Sequence, residues 1–351
     1  MSEKLPRLVP DSEQEKAIVR TISEATRACL NASLMGVGKS LMATEVAIRL
    51  GVDTKLIIAP LGTYWGWHDT IQRQTNNQSV VSRIDSTKSG KEAFENLKAK
   101  QPGWYIVGRE YFRRLEWDKV TPDIAIVDEV HFAQNRNSKS FKTLMKLKPG
   151  FRLALSGTPA GNRFEGMWSV TRWLWPSVTP RSFWGWVHDW CLTTYSPFSQ
   201  MEILGKKNPG AYAKSLPCYI RLEPPKEIET VYEARYVDLV PAQKKIYDKF
   251  QKDLVVWLGE NPMVAEVPIA ARIRLRQITL AVPTLTDNDE VIFADDAVST
   301  KYKALQEIID DNPDDSMLLL TDSQKFANLV TNRLNATKKQ AFEWSGKATQ
   351  P

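Results

Sequence analysis

The sequence predicts an α/β protein whose parallel sheet is covered by helices on both faces. Short apolar runs of strand length alternate along the chain with segments of helical periodicity, and this alternation is typical of parallel sheets. The runs are KLIIAP at 55–60, WYIVGRE at 104–110, DIAIVDE at 123–129 and FRLALSGTP at 151–159. Ligands of such sheets lie at the carboxyl ends of the strands, and the polar motifs of this chain follow its predicted strands.

The first predicted elements are a turn, a helix and a strand within residues 30–60. The turn carries GVGKS, from Gly36 to Ser40, and bound phosphate needs inward-facing backbone N–H groups, whose close approach glycine permits. In this pattern Lys39 reaches the β- and γ-phosphates of a nucleotide and Ser40 holds magnesium. The full pattern GxxxxGK[ST] has a glycine where this chain has Ser33. A chance turn before a helix is the alternative, which the neighbouring helix and strands disfavour.

The third predicted strand ends in two adjacent carboxylates, Asp128 and Glu129. Buried carboxylates are costly unless a cation lies beside them. We expect Asp128 to bind magnesium through water and Glu129 to orient or deprotonate the attacking water, as phosphoryl transfer to water requires. A strand end exposed to solvent is the alternative, and the upstream GKS motif disfavours it.

Downstream of these carboxylates the chain carries only basic charges until Glu165. Lys139, Lys142 and Lys146 fall at helical spacing on one face, which predicts either a phosphate-contacting surface or a solvated lysine face. Residues 1–160 hold 24 basic and 17 acidic residues, so they account for the whole of the chain's net charge of +6. A polyanion partner would therefore approach this part of the chain, although such a charge is also common in soluble proteins.

Length and composition bound the class of protein. At about 150 residues per domain, 351 residues suggest two domains. An apolar fraction of 42% and a charged fraction of 25% exclude a disordered or collagenous chain. Three isolated cysteines fit a reducing compartment, and three scattered histidines indicate no metal site. We find no secretory signal and no membrane span, so we expect a cytoplasmic protein, in the host cytoplasm if phage-encoded.

The later part of the chain differs in character. Residues 163–190 are rich in tryptophan, which indicates either a base-stacking surface or, as we favour, a packed hydrophobic core. The elements predicted beyond residue 240 are helices at 241–258, 271–280, 301–310 and 326–334, an acidic hairpin or loop at 287–296, and strands at 316–321 and 340–344.

Together these motifs resemble the superfamily 2 helicase-like motors, and within them the Swi/Snf-like DNA-dependent ATPases, with small phage and bacterial members most similar. The matches follow the family's order along nearly the whole chain, and their order and spacing are more specific than any single match. They are Gln14, the loop at 32–40, IAPL at 58–61 with Trp67, DEVH at 128–131 with Asn135, SGTP at 156–159 with Asn162, VPAQKKIY at 240–247, RLRQI at 274–278, LLTDS at 319–323 and WSG at 344–346.

The resemblance implies a P-loop RecA-like first lobe at 1–178, a helical insertion and linker at 179–298, and an incomplete second RecA-like lobe at 299–351. It also implies ATP and Mg²⁺ as cofactors, DNA (duplex or single-stranded) as partner, and no membrane. In the family, the upstream glutamine reads adenine and motif III links the ATP site to DNA. The implied residues are Gln14, Gly36, Val37, Gly38, Lys39 and Ser40 for the nucleotide, Ser40 and Asp128 for magnesium, Lys39, Asp128, Glu129, Ser156 and Thr158 for catalysis, and Thr63, Arg109, Lys139 and Lys142 for nucleic acid.

Motifs V and VI of the family have no counterpart in the sequence, and motif VI supplies an arginine finger. Because losing such a finger costs about 10³–10⁵-fold in rate, we expect this chain to bind Mg-ATP but to hydrolyse it poorly. We also expect the strand edge of the short second lobe to be exposed or paired with another chain. Three functions stay open: an ATP-dependent DNA translocase or helicase-like motor, a nucleotide-dependent DNA-binding module that needs a partner chain supplying the missing lobe, and an RNA-directed helicase of the same superfamily.

Overall fold

A computed structural model describes residues 6–161, 163–195, 201–208, 210–224, 231–259, 261–265, 267–286, 290–337 and 339–343. The chain forms two compact units, Met1–Ile228 and Glu229–Pro351. The three-part division expected from the sequence stays a prediction. Two of the sequence motifs, Asn162 and WSG at 344–346, lie outside the described residues.

The first unit is built on strands of an α/β fold. These strands are β1 (Ala28–Asn31), β2 (Thr54–Ala59), β3 (Val81–Ile84), β4 (Gly103–Gly108), β5 (Ile124–Asp128), β6 (Phe151–Leu155), β7 (Cys191–Thr194), β8 (Glu202–Lys206) and β9 (Tyr219–Ile220). One seven-stranded parallel sheet has the order β3-β4-β2-β5-β6-β1-β9, and β7 and β8 form an antiparallel hairpin. The predicted α/β class is confirmed, and β2, β4, β5 and β6 are the four predicted strands.

The central strands are apolar on both faces because helices cover both sides of the sheet. Ile57 of β2 lies in register with Ile106 of β4 and Ile126 of β5. All three side chains are buried, and burying a side chain of this size stabilises a fold by roughly 1.5–3 kcal/mol. Because the strands are parallel, the segments that follow them meet at one edge of the sheet.

The helices of the first unit alternate with its strands. They are α1 (Ser12–Ile22), α2 (Lys39–Arg49), α3 (Tyr64–Gln74), α4 (Lys88–Lys98), α5 (Arg109–Phe112), α6 (Lys139–Lys146), α7 (Gly166–Leu174), α8 (Phe183–Trp190) and α9 (Ala211–Ser215). In the described part of the chain, no helix has the length and apolar character needed to cross a membrane.

A buried carboxylate ties the N-terminal segment to these helices. Glu45 of α2 is fully buried and accepts hydrogen bonds from Arg7 and Gln74, both at 2.7 Å, and from Arg49 at 2.9 Å. Arg49 also pairs with Glu15 of α1 through both of its terminal nitrogens. Burial raises the pKa of Glu45, but the three hydrogen bonds outweigh burial and hold that pKa below its ordinary value.

The tryptophan-rich segment forms core, as the sequence favoured. Trp168, Trp173, Trp175 and Trp186 are all buried in the apolar core of the first unit. Trp190 is partly buried against this core, and Trp184 is 45% exposed. Most of this segment therefore stabilises the sheet and presents no stacking surface.

The second unit contains four helices and four short strands among its described residues. They are α10 (Pro241–Asp253), β10 (Val255–Leu258), β11 (Asn261–Val264), α11 (Pro268–Leu280), β12 (Thr284–Leu285), β13 (Val291–Ile292), α12 (Thr300–Asp311) and α13 (Gln324–Ala336). β10 pairs antiparallel with β11, and β12 with β13. Buried side chains of α10, α11 and these strands form its own apolar cluster.

Two predictions about this unit were wrong. The helix predicted over 241–258 ends at Asp253, because Leu254 adopts a left-handed conformation with φ of 55° and the following residues pair as β10. The strands predicted at 316–321 and 340–344 are absent from the described residues 316–321 and 340–343. A strand needs a neighbouring backbone to pair with, and these segments belong to no sheet in the described part of the unit. Leu318 and Leu320 accordingly remain 86% and 83% exposed.

Candidate nucleotide site

The GVGKS loop connects β1 to α2 at the carboxyl edge of the sheet. Gly36 and Gly38 have φ of 81° and 71°, in the left-handed region that favours glycine. Lys39 is the first residue of α2, and its Nζ donates hydrogen bonds to the carbonyl oxygens of Ser33 at 3.0 Å and Leu34 at 2.8 Å. The loop therefore curls around the lysine ammonium group at the start of a helix.

Ser33, where the full P-loop pattern has glycine, has a defined structural role. Its side chain is buried, and its Oγ accepts a hydrogen bond from the backbone N–H of Leu222 at 3.0 Å. The N–H of Leu34 donates in turn to the carbonyl oxygen of Leu222 at 3.0 Å. The strand pairing between β1 and β9 thus continues into the loop, with the serine hydroxyl serving as one of its acceptors.

Gln14 of α1 lies against the same loop. Its Nε2 donates to the carbonyl oxygen of Val37 at 3.2 Å, and its Oε1 accepts from the N–H of Asp11 at 2.9 Å, closing a capping box at the start of α1. A Cβ atom added at Gly38 would lie 2.8 Å from that Nε2. Glycine at position 38 is therefore favoured by the left-handed backbone, and a side chain there would displace the amide end of Gln14.

Asp128 ends β5 at the same edge and is held by a tryptophan. The Nε1 of Trp67 donates a hydrogen bond to its Oδ2 at 3.1 Å, and Trp67 itself is fully buried on α3. Burial raises the pKa of Asp128 and the charge of Glu129 raises it further, whereas the hydrogen bond from Trp67 lowers it.

Glu129 follows Asp128 in a left-handed conformation with φ of 49°, which is unusual for a residue with a side chain. Its Oε2 accepts a hydrogen bond from the Oγ of Ser156 at 3.0 Å, and the Nδ1 of His131 lies 3.1 Å from the same oxygen. Ser156 Oγ also accepts from the N–H of Thr158 at 3.1 Å. The ends of β5 and β6 are thereby joined by a network of side chains.

The candidates for nucleic-acid contact lie around this edge. Thr63 is exposed directly before α3, and its hydroxyl donates to the carbonyl oxygen of Pro60 at 2.9 Å. Arg109 begins α5, with its guanidinium carbon 5.2 Å from the ring centre of Phe132. Burial lowers the pKa of Arg109, and the charges of the two carboxylates at the end of β5 raise it.

The three lysines on the basic face of α6 differ in their ion pairing. Lys139 and Lys142 are exposed and have no ion pair among the residues that the structure describes. Lys146 instead pairs with Glu116 at 3.1 Å and Asp118 at 3.0 Å. Of the three lysines that the spacing places together, two are therefore available to an external anion.

The donor set at this edge fits magnesium and a nucleotide. Ser40 and Asp128 offer oxygen atoms, which Mg²⁺ prefers, and Mg²⁺ is usually bound by one or two carboxylates together with substrate phosphates. A Cβ atom added at Gly36 would meet nothing within 4 Å, so the loop leaves space beside its backbone.

Several contacts of the site could not be found from sequence reasoning. Trp67 and Asp128 lie 61 positions apart, and no local pattern links them. His131 was included only as the last letter of DEVH, and its position beside Ser156 and Glu129 depends on the adjacency of β5 and β6. Ser33, a polar residue where the P-loop pattern has glycine, was the one sequence feature that indicated an unusual structure of this loop.

Comparison with known proteins identifies relatives of this arrangement. The model of the SNF2-related domain matches residues 14–279. An uncharacterised ATP-dependent helicase of Mycoplasma genitalium is 24% identical over 303 residues, which is 82% of this chain and 28% of that protein. A chromodomain-helicase-DNA-binding protein 1-like of Danio rerio is 25% identical over 164 residues, which is 43% of this chain and 15% of that protein. The chain thus spans less than a third of the length of either relative.

A solved structure has the same fold. The SWI2/SNF2 ATPase core of Sulfolobus solfataricus, determined in complex with dsDNA, matches with a TM-score of 0.51 over 97% of this chain and 73% of that chain, at 17% identity. Together with the seven-stranded parallel sheet, this similarity confirms the predicted RecA-like fold.

Proposed function

Because the chain belongs to the SNF2-related domain family, we propose that it is an ATP-dependent motor that couples ATP hydrolysis to DNA binding and translocation. The observation that carries this proposal is the meeting of three motifs at one sheet edge. The glycine loop follows β1, the paired carboxylates end β5, and Ser156 follows β6. These strands are neighbours in the order β5-β6-β1.

In the proposed reaction each group has a role that its position supports. Lys39, whose ammonium group donates to the carbonyl oxygens of Ser33 and Leu34, would contact the β- and γ-phosphates, and the backbone N–H groups of 36–40 would contact the phosphates. Ser40 and Asp128 would hold Mg²⁺, which would supply positive charge to neutralise the developing phosphate charge. Glu129 orients or deprotonates the attacking water. Gln14, already against the loop at Val37, contacts the adenine.

Ser156 and Thr158 support the coupling between nucleotide and DNA. Ser156 contacts the carboxylate proposed to act on water, and it is also bonded to the backbone of Thr158, which lies exposed two residues further. A shift in the exposed turn would therefore be transmitted to Glu129 through one serine hydroxyl. We infer that DNA binding and water activation are linked at this point.

DNA is the partner that the charge and exposure favour. Thr63, Arg109, Lys139 and Lys142 lie in the unit that carries the basic excess, and phosphate contacts dominate such binding. Measuring ATP hydrolysis with single-stranded DNA, duplex DNA and RNA tests this proposal. Stimulation by duplex or single-stranded DNA supports it, whereas stimulation by RNA alone would favour the RNA-directed alternative.

A second candidate is a nucleotide-dependent DNA-binding module that needs a partner chain supplying a second lobe. The exposed leucines at 318 and 320, in a segment without strand pairing, favour this candidate. It predicts nucleotide-dependent DNA affinity with slow hydrolysis, and faster hydrolysis when a second RecA-like lobe from a relative is added. Vigorous DNA-stimulated turnover by the chain alone would reject this candidate.

A further inference from the structure

Trp67 contacts the proposed magnesium ligand from a helix whose first turn is exposed. We propose that Trp67 is a positioning residue: its indole fixes the Asp128 carboxylate for magnesium and connects that carboxylate to the start of α3, where DNA binds. This inference rests on the proposed function, because it assumes a nucleotide at the GVGKS loop and DNA near Thr63.

The contact between Trp67 and Asp128 is well suited to fix an orientation. The indole N–H can only donate a hydrogen bond, so Trp67 is always the donor and the Asp128 carboxylate always the acceptor. The indole nitrogen lies 3.1 Å from Oδ2 and belongs to a fully buried side chain. The indole therefore holds the carboxylate from outside the metal site, and such outer contacts tune metal affinity.

The sheet order explains how α3 reaches this carboxylate. β2 and β5 are adjacent, so the segment following β2 and the residue ending β5 lie at the same place on the edge. The segment turns through Leu61–Thr63 and begins α3 at Tyr64. Leu61 and Thr63 are exposed, while Trp67, one helical turn later, is buried against the carboxylate. One rigid turn of helix therefore connects an exposed surface to the metal side of the site.

The first test compares two tryptophan-to-phenylalanine variants. Trp67→Phe removes the indole N–H and keeps an aromatic ring in the core. Trp117→Phe is the matched control, because Trp117 is also fully buried and its Nε1 donates to the carbonyl oxygen of Phe112 at 2.9 Å. Binding of ATP is titrated at a series of Mg²⁺ concentrations. We expect W67F to need about tenfold more Mg²⁺ for half-maximal binding, and W117F to match the wild type.

The second test observes the indole directly and needs no turnover. In protein labelled with ¹⁵N-tryptophan, the Trp67 indole N–H resonance is assigned by its loss in W67F. We expect it to shift when Mg-ATP is added, and also when a short DNA duplex is added without nucleotide. The Trp117 resonance should stay in place in both titrations. If the Trp67 resonance does not shift when the duplex binds, the proposed connection between Asp128 and the start of α3 is rejected.

The outcomes separate this inference from the proposed function. If the wild type binds ATP and DNA but W67F keeps the wild-type Mg²⁺ requirement, the positioning role is rejected and the proposed function stands. If the wild type binds neither ATP nor DNA, both are rejected. A tenfold higher Mg²⁺ requirement in W67F alone, together with a Trp67 resonance that responds to duplex, supports the inference.

Discussion

The Oγ of Ser156 donates a hydrogen bond to the Oε2 of Glu129, with 3.0 Å between the two oxygen atoms. This contact joins the residue after β6 to the residue after β5 and places a hydroxyl on the carboxylate proposed to act on water. Glu129 adopts a left-handed backbone, with φ of 49°. Through Ser156, the carboxylate is connected directly to the exposed turn that follows β6.

Replacing Ser156 by alanine should impair hydrolysis more than binding. The variant loses a hydrogen bond to a charged group, which is worth about 1.5–3 kcal/mol, so we expect single-turnover ATP hydrolysis with DNA to fall by about tenfold or more. Affinity for ATP should stay within about twofold, since Ser156 has no proposed contact with the nucleotide. Ser138→Ala is the control, because the hydroxyl of Ser138 caps α6 and bonds to the carbonyl oxygen of Asn135, and no described hydrogen bond joins it to Glu129. Equal hydrolysis by S156A and S138A would contradict the coupling role.

Replacing Gly38 by alanine should weaken nucleotide binding specifically. A side chain at φ of 71° costs about 1–2 kcal/mol, and the new Cβ would lie 2.8 Å from the Nε2 of Gln14. Gly51→Ala is the matched control, because its φ is 62° and nothing lies within 4 Å of its added Cβ. We expect similar losses in thermal stability but an affinity for ATP lowered by about tenfold or more in G38A alone. Comparable ATP affinities in G38A and G51A would contradict the proposed contact of Gln14 with the nucleotide beside this loop.

Glu45→Gln should destabilise the first unit by about 2 kcal/mol at neutral pH, because it removes a buried charge that Arg7 and Arg49 pair with. The pKa of Glu45 is lowered in the folded state, so its contribution is complete above the unfolded value of about 4.5 and is lost as pH falls through the folded value. The difference between E45Q and the wild type in urea unfolding should therefore shrink below about pH 4.

Glu13→Gln is the control for this measurement, since Glu13 only forms an exposed pair with Lys16. Exposed pairs contribute about 0–1 kcal/mol, so E13Q should unfold like the wild type at every pH. A constant difference between E45Q and the wild type from pH 7 to pH 3 would mean that the charge of Glu45 does not stabilise the fold.

Lys139 and Lys142 of α6, which have no ion pair among the described residues, should contribute to DNA binding. In the double variant Lys139→Ala/Lys142→Ala we expect weaker binding of duplex DNA and a log–log salt dependence that is less steep by about 2. Lys146→Ala is the control, because Lys146 is already paired with two carboxylates. Duplex titrations at several salt concentrations provide both quantities. A salt slope unchanged in the double variant would assign these lysines to a solvated face.

The sequence predicted the parallel sheet and its carboxyl edge because both depend on local patterns. Apolar runs locate β2, β4, β5 and β6, and the motifs that follow them meet wherever the strands are parallel. What could not be predicted depends on contacts between distant positions. The Trp67–Asp128 bond and the Ser33–Leu222 bond each join segments whose adjacency is set by strand order.

The errors in the second unit have a similar cause. Val255–Leu258 continues the apolar spacing of the preceding helix, but the residues also favour a strand, and pairing with β11 decides between them. MLLL at 317–320 has strand composition, yet composition does not supply a partner strand. Local preference therefore predicted elements well only where the neighbouring strand was also present.

The proposed function depends above all on ATP binding to the loop that contains Lys39. Calorimetric titration of Mg-ATP into the wild type and Lys39→Ala tests this binding most directly. The ammonium group of Lys39 donates hydrogen bonds to the carbonyl oxygens of Ser33 and Leu34. Circular dichroism of both proteins checks that the fold survives the removal of this side chain. We predict binding to the wild type and a loss of at least about tenfold in affinity in K39A. Equal affinity in two folded proteins would contradict the assignment of this loop.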